Sequence, residues 1–357
     1  MKRREALAIL LAALLLLGVA ASGGAANDPL ISRNYLENTF LSKLISQAQE
    51  KIEKAIPLQS GQQGGTEELR MKRGDLLTLR TGSTITALAG GLWCSPSAGT
   101  VVDLTGGKPF EQAGGPLAAN HRYLSAEQSV ALISVTSDTA VVLLTGPYEL
   151  TPSANTDYNA LAYGLKTLGL FRGSDTPYGS GFDLELMPTR IQGLIMFIRL
   201  LGEESLALTY SHGEVQFPDV PQWALPYVIY AYEKGYTKGR NLPDEENRVW
   251  FGTTDTLAAR DYVTFLLRAL GFAEGTQFQW ATAIQDAQAL NVLTAGEGAL
   301  LTEKPFLRAQ VVYLSFYALE TQAAGQGGTL ADRLISKEVF QADALARVRS
   351  GLSTSRL

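Results

Sequence analysis

The chain has 357 residues, 46% of them hydrophobic, with a formal charge of −5 and a single cysteine. An acidic balance without a concentrated Lys/Arg patch argues against a nucleic-acid partner, because phosphate neutralisation needs clustered cations. One thiol cannot make an internal disulfide, so stability must come from burial, and the length is enough for two or three ordinary cores.

Lys2, Arg3 and Arg4 precede an apolar run over 6–19, and small residues follow over 20–26. This is the pattern of a signal peptide, 1–26, removed near Ala26. The run of about 14 residues is shorter than the roughly 20 that span a bilayer, and no cysteine follows it to take a lipid. The expected address is outside the cell, secreted and at the cell surface. Beyond it, Tyr35, Leu36, Phe40, Leu41, Leu44, Ala48, Ile52 and Ala55 recur at helical spacing. They predict an amphipathic helix over 33–56, opened by an Asn34/Glu37 capping box and stopped by Pro57. Such a helix needs a partner, either the next domain or another copy. A Gly/Gln linker closes this 27–65 segment.

Over 66–150 the period becomes strand-like. Short β-branched or alternating runs at 76–79, 84–88, 100–104, 122–124, 130–135 and 140–144 are separated by Gly, Pro, Asn and Asp turns. The pattern predicts a small antiparallel barrel or sandwich, a surface for a protein partner or self-association. Its glycines show turn chemistry and no phosphate-loop spacing. His121 has no second histidine in this segment and is read as structural, since metal sites need three or four donors; no metal or cofactor is expected. Cys94 reads as a small buried residue.

Residues 147–157 lead into a helical region. Leu161, Leu165, Leu168 and Leu170 form one stripe ending at Gly169 and Gly173. A second stripe, Ile191, Leu194, Ile195, Ile198 and Leu201, follows Pro188 and Thr189, which suit a helix start. This order recurs, giving copies at 157–203, 217–271 and 278–320. Gly235 and Gly239 repeat the spacing of Gly169 and Gly173, with Asn291 and Ala295 in the third place. Second helices close on Arg199-Leu-Leu-Gly202 and Arg268-Ala-Leu-Gly271; the third, Tyr317-Ala-Leu-Glu320, is weaker. Neighbouring copies of so short a unit are expected to complete one another's core.

Copy two also holds Phe217-Pro-Asp-Val-Pro-Gln-Trp223-Ala. On these residues the region resembles the bacterial S-layer homology family, whose repeats read Phe-x-Asp-Val, Trp-Ala, Gly-x-x-x-Gly, Thr-Arg-Ala-Glu and Leu-x-Arg-Ala-Leu-Gly. The resemblance covers 157–320, under half the chain. It implies an all-α, three-pronged bundle of three repeats, making the chain a multidomain α+β protein. It further implies non-covalent attachment to an acidic, often pyruvylated, secondary cell-wall polysaccharide of a Gram-positive-type envelope. The helix and β-rich segment resemble the parts that accompany such repeats in some clostridial surface proteins.

The family's binding arginine falls on Arg190 in copy one and Arg308 in copy three. In copy two the count gives Ala259, with Arg260 one place later, a turn of about 100 degrees on a helix. A guanidinium at a helix start can meet a ketal carboxylate with two parallel hydrogen bonds, which lysine cannot. Surface pairing with neighbouring acids is the competing reading. Trp223 and Trp280 fill the Trp-Ala position, where an indole can stack on a sugar or anchor the helix in the core. Asp219 is expected to cap that helix. Tyr227, Tyr230, Tyr232, Tyr236 and Tyr262 suit carbohydrate contact or packing between copies.

No enzyme is expected, and three readings follow. The first is an exported protein that binds wall polysaccharide through guanidinium groups presented outward at the seams between copies. The second keeps the fold as a scaffold for protein contacts without glycan binding, favoured by the missing arginine of copy two. The third is an extracellular glycan-active enzyme using paired carboxylates; with only His121 and His212 in the chain, nucleophile–histidine sites have few options. Residues 321–357 read as a basic tail with one helix near 331–348.

Overall fold

A computed structural model describes residues 65–173, 181–210, 217–240, 244–246, 248–303, 305–325, 327–352 and 356–357. The chain divides into two units, 1–57 and 58–357. The signal segment, the 33–56 helix and His212 lie outside the described residues.

The β-rich segment forms two antiparallel sheets. One has six strands in the order β1-β10-β3-β8-β5-β6, namely β1 (Thr66–Lys72), β10 (Thr139–Thr145), β3 (Thr84–Ala89), β8 (Arg122–Ser125), β5 (Val101–Asp103) and β6 (Lys108–Pro109). The other has five in the order β11-β2-β9-β4-β7, namely β11 (Tyr148–Thr151), β2 (Leu76–Arg80), β9 (Val130–Val135), β4 (Leu92–Ala98) and β7 (Gly115–Pro116). Alternation puts Leu77, Leu79, Cys94 and Ile133 of one sheet into a core shared with Met71, Ile85, Tyr123, Val142 and Leu144 of the other. The expected barrel is not formed. Each sheet ends on a two-residue strand whose proline, Pro109 or Pro116, has no N–H to continue the ladder.

Ten α-helices follow among the described residues: α1 (Tyr158–Thr167), α2 (Arg190–Leu200), α3 (Glu204–Thr209), α4 (Leu225–Glu233), α5 (Ala259–Ala269), α6 (Ala283–Ala289), α7 (Ala295–Glu303), α8 (Arg308–Ala318), α9 (Leu330–Ser336) and α10 (Ala342–Ser350). Short 3₁₀ turns, Gln222–Ala224 and Trp280–Thr282, lead into α4 and α6. Leu161, Phe197, Tyr262, Phe265 and Tyr313 centre one continuous core. None of these helices is long and apolar enough to cross a membrane.

The expectation of an all-α bundle of three weakly matching repeats is likewise corrected. Copy one opens without a 3₁₀ turn, and α1 instead leans on the β-rich part, where Asn159 Nδ2 donates to Met71 O. In copy three, Asn291 takes the left-handed conformation (φ 57°) expected of its glycine, yet Ala295 starts the extra helix α7 where a second glycine stood elsewhere. Residues 321–357 are not a loose tail. Leu330, Leu334, Phe340 and Leu345 of the α9–α10 segment are buried in the helical core. The two regions are joined by Gln310 Nε2, at the start of α8, donating to Asp138 Oδ2 at 3.1 Å.

Candidate functional site

The start of α2, one face of α5, residues 239–240 and 255–256 and the turn at Trp280 line a groove of about 670 Å³. Arg190, Arg240, Arg268, Asp255, Asp261 and Trp280 supply its chemistry, with Gly239, Thr256, Thr264 and Phe265 between them. Three guanidinium groups against two carboxylates leave the lining net positive.

Arg190 is the first residue of α2. Thr189 caps that helix, accepting from Gln192 N while the Gln192 side chain accepts from Thr189 N. Arg190 Nη1 pairs with Asp261 Oδ2 at 3.3 Å and Nη2 donates to Gly239 O at 3.3 Å. Its guanidinium lies over the rings of Phe251 and Phe265, 5.3 and 5.7 Å from their centroids. Burial pulls its pKa below the ordinary value, with Asp261 acting in the opposite sense. Gly239 is required here twice over. Its φ is +75°, and a Cβ would sit 2.4 Å from Phe217 Cε1.

Asp261 also accepts from Trp280 Nε1 at 2.8 Å, so one carboxylate sets both a cation and an indole. Arg260 lies 3.9 Å from the centre of the same indole. Arg268 donates to Tyr236 O (2.9 Å) and to Glu274 Oε2 (2.8 Å), which Lys238 also reaches at 2.6 Å. Burial pushes the Glu274 pKa up, but Lys238 and Arg268 outweigh it and hold it below the usual carboxylate range. Arg240 pairs with Asp255 at the mouth, where the arginine side chain is 55% exposed. The Nε–H groups of Arg190, Arg260 and Arg268 are buried and find no acceptor among the described residues.

Of the residues read from the sequence, Arg190 and Trp280 line the groove, and Arg260 is not among the lining residues but lies over the same indole. Arg308 and Trp223 are not among the groove's lining residues. Arg308 is 8% exposed, its Nε donates to Phe182 O at 3.1 Å, and it faces Asp183 and Glu185; burial lowers its pKa and Asp183 opposes. Trp223 is 60% exposed on its 3₁₀ turn rather than anchoring a helix. Arg190 and Arg308 are therefore not outward free cations, and the two-arginine form of the sequence reading is corrected. Asp219 does not cap α4. It accepts from Phe251 N, Gly252 N and Thr253 N at 2.8, 2.7 and 3.0 Å, holding the loop beneath Arg190 and Asp255. The tyrosines mostly serve packing: Tyr230 and Tyr236 donate to Glu203, and Tyr227 to Glu204. His121 Nδ1 lies 2.9 Å from Asp103 Oδ2.

Sequence reasoning missed Arg240, Arg268, Asp255 and Asp261. Two signals were present. Counting Ala259 as the first residue of α5 puts Asp261 where the repeat pattern has Glu, and Arg268 belongs to the closing Arg-Ala-Leu-Gly run.

No family model and no curated protein matches the chain. Solved structures of ToxT from Vibrio cholerae align over 81% of this chain and 90% of theirs at 11% identity, with a TM-score of 0.12. ToxT bound to (E)-4-(8-methylnaphthalen-1-yl)but-3-enoic acid aligns over 80% and 92% at 11% identity, again with a TM-score of 0.12. The unsaturated fatty acid-bound form from strain SCE256 aligns over 82% and 92% at 13% identity and the same score. At that score the likeness carries no argument about fold or function.

Proposed function

We propose that this chain is an exported cell-envelope protein that binds an acidic wall polysaccharide in the Arg190–Arg268–Trp280 groove. The observation that carries the reading is that Arg190, Arg240 and Arg268 line one groove with the Trp280 indole, and that the Nε–H groups of Arg190 and Arg268 find no acceptor among the described residues. A carboxylate entering such a groove gains charge-assisted, paired hydrogen bonds. The indole offers an apolar face to a sugar ring. Asp255 and Asp261 are each tied to an arginine, which favours binding over the acid–base work of a glycosidase. The S-layer homology-like motifs and the signal-peptide pattern of residues 1–26 support the same envelope setting.

The test is co-sedimentation of the full chain with isolated cell walls, before and after chemical removal of the secondary polymer. Arg240→Ala and Trp280→Ala, checked for unchanged circular dichroism, should each reduce retention on intact walls. Retention that is unchanged in the double variant, or that survives removal of the polymer, refutes the proposal.

A further inference from the structure

Arg356 and Leu357 sit in a built slot between the α6–α7 turn and α8. Glu297, on α7, has a fully buried side chain. Arg356 grips it with both ends of its fork, Nε to Oε1 and Nη2 to Oε2, each at 2.8 Å, and Nη2 also donates to Val292 O at 2.8 Å. The guanidinium lies 5.7 Å from the centre of the Tyr317 ring. The backbone is read as well. Leu357 N–H donates to Tyr313 Oη at 2.8 Å, and Thr294 Oγ1 donates to Leu357 O at 2.7 Å. At Gly296 a Cβ would stand 3.2 Å from the Leu357 carbonyl carbon, so a side chain there would crowd the segment.

Five polar contacts therefore fall on two residues, and all the side-chain recognition is of arginine, since the Leu357 side chain remains about half exposed. We propose that this slot is an arginine-reading peptide site, filled in cis by Arg356–Leu357 and able to take the same segment in trans. Its ligand class is a short peptide whose arginine fork meets the Glu297 carboxylate edge-on and whose next amide meets Tyr313. Lysine would keep the charge and lose the paired geometry. The site is separate from the groove, so the proposal does not depend on polysaccharide binding.

The test uses the full chain carrying Arg356→Ala and a labelled Ser-Thr-Ser-Arg-Leu peptide, the sequence of residues 353–357. Anisotropy should show saturable binding to the variant, and peptide should raise its melting temperature by mass action. The parent chain should not bind, because its own segment competes at a high effective concentration. A peptide with lysine for arginine should bind roughly tenfold more weakly. Equal binding by the lysine peptide, or no binding to the variant, overturns the proposal. Should Arg356→Ala not fold, Arg356→Gln, which removes both the charge and the fork from the cis segment, carries the same titration, and absence of binding there is equally fatal.

Discussion

Replacing Asp219 should injure the groove without touching a groove-lining residue. Its carboxylate accepts three backbone N–H groups of the 251–253 loop, and Phe251 and Thr253 are buried. An amide left without an acceptor costs about 1–3 kcal/mol. Asp219 itself is half-buried, so water can reach part of the gap, and the low end of that range applies to each of the three. Asp219→Ala should then cost about 3 kcal/mol, and Asp219→Asn, which keeps one carbonyl acceptor, about half as much. With a urea slope of about 3 kcal/mol/M, the alanine variant's midpoint should fall by about 1 M. Because the loop carries Phe251 under Arg190 and Asp255 opposite Arg240, wall retention should weaken even at temperatures where the variant is folded. A midpoint within about 0.2 M of the parent's would refute the argument that these three bonds hold the loop.

Three other outcomes are expected. Arg308→Ala removes a buried cation facing Asp183 and should destabilise by about 3 kcal/mol, leaving wall retention per folded molecule unchanged; loss of retention with unchanged stability would place Arg308 at a ligand after all. Asp255→Asn removes the carboxylate that competes for Arg240 at the groove mouth and should strengthen binding of an acidic glycan in titration calorimetry, whereas weaker binding would contradict the assigned polarity. Acid should also loosen the helical region. Burial raises the pKa of Glu204, but Arg199, Tyr227 and Arg172 outweigh it and leave it below the ordinary value, as Lys238 and Arg268 do for Glu274. Stability from such depressed groups is fully present above the unfolded carboxylate value of about 4.3 and is lost as pH falls through the folded values. Urea midpoints should thus be level near neutrality and decline below about pH 4; a decline already complete at pH 6 would need another cause.

Much of the local order was legible in the sequence. Alternation found β2, β3, β5, β8 and β9, because one face of each is buried, and a β-branched apolar run found β10, whose first four residues are buried on both faces. It missed β1, whose Glu67, Glu68, Arg70 and Lys72 disguise an edge strand, and β4, where Pro96 reads as a turn. Thr189 announced α2 through a cap that depends only on neighbours in the chain. The groove was less legible, since its geometry depends on contacts between distant segments. Arg190 meets Asp261 and Gly239 across separations that no local pattern encodes. Arg308 shows the converse: an equivalent motif position became interior because the segment around Phe182 and Leu184 folds over it, with Ala309 N donating to Leu184 O.

Cys94 lies wholly inside the β-rich core, and burial pushes its thiol up to about 12. Reagents that need a thiolate will meet it only when the two sheets part. Labelling rates of this one thiol therefore give a private clock for opening of the β-rich half, deaf to events in the helices, in the unaltered protein.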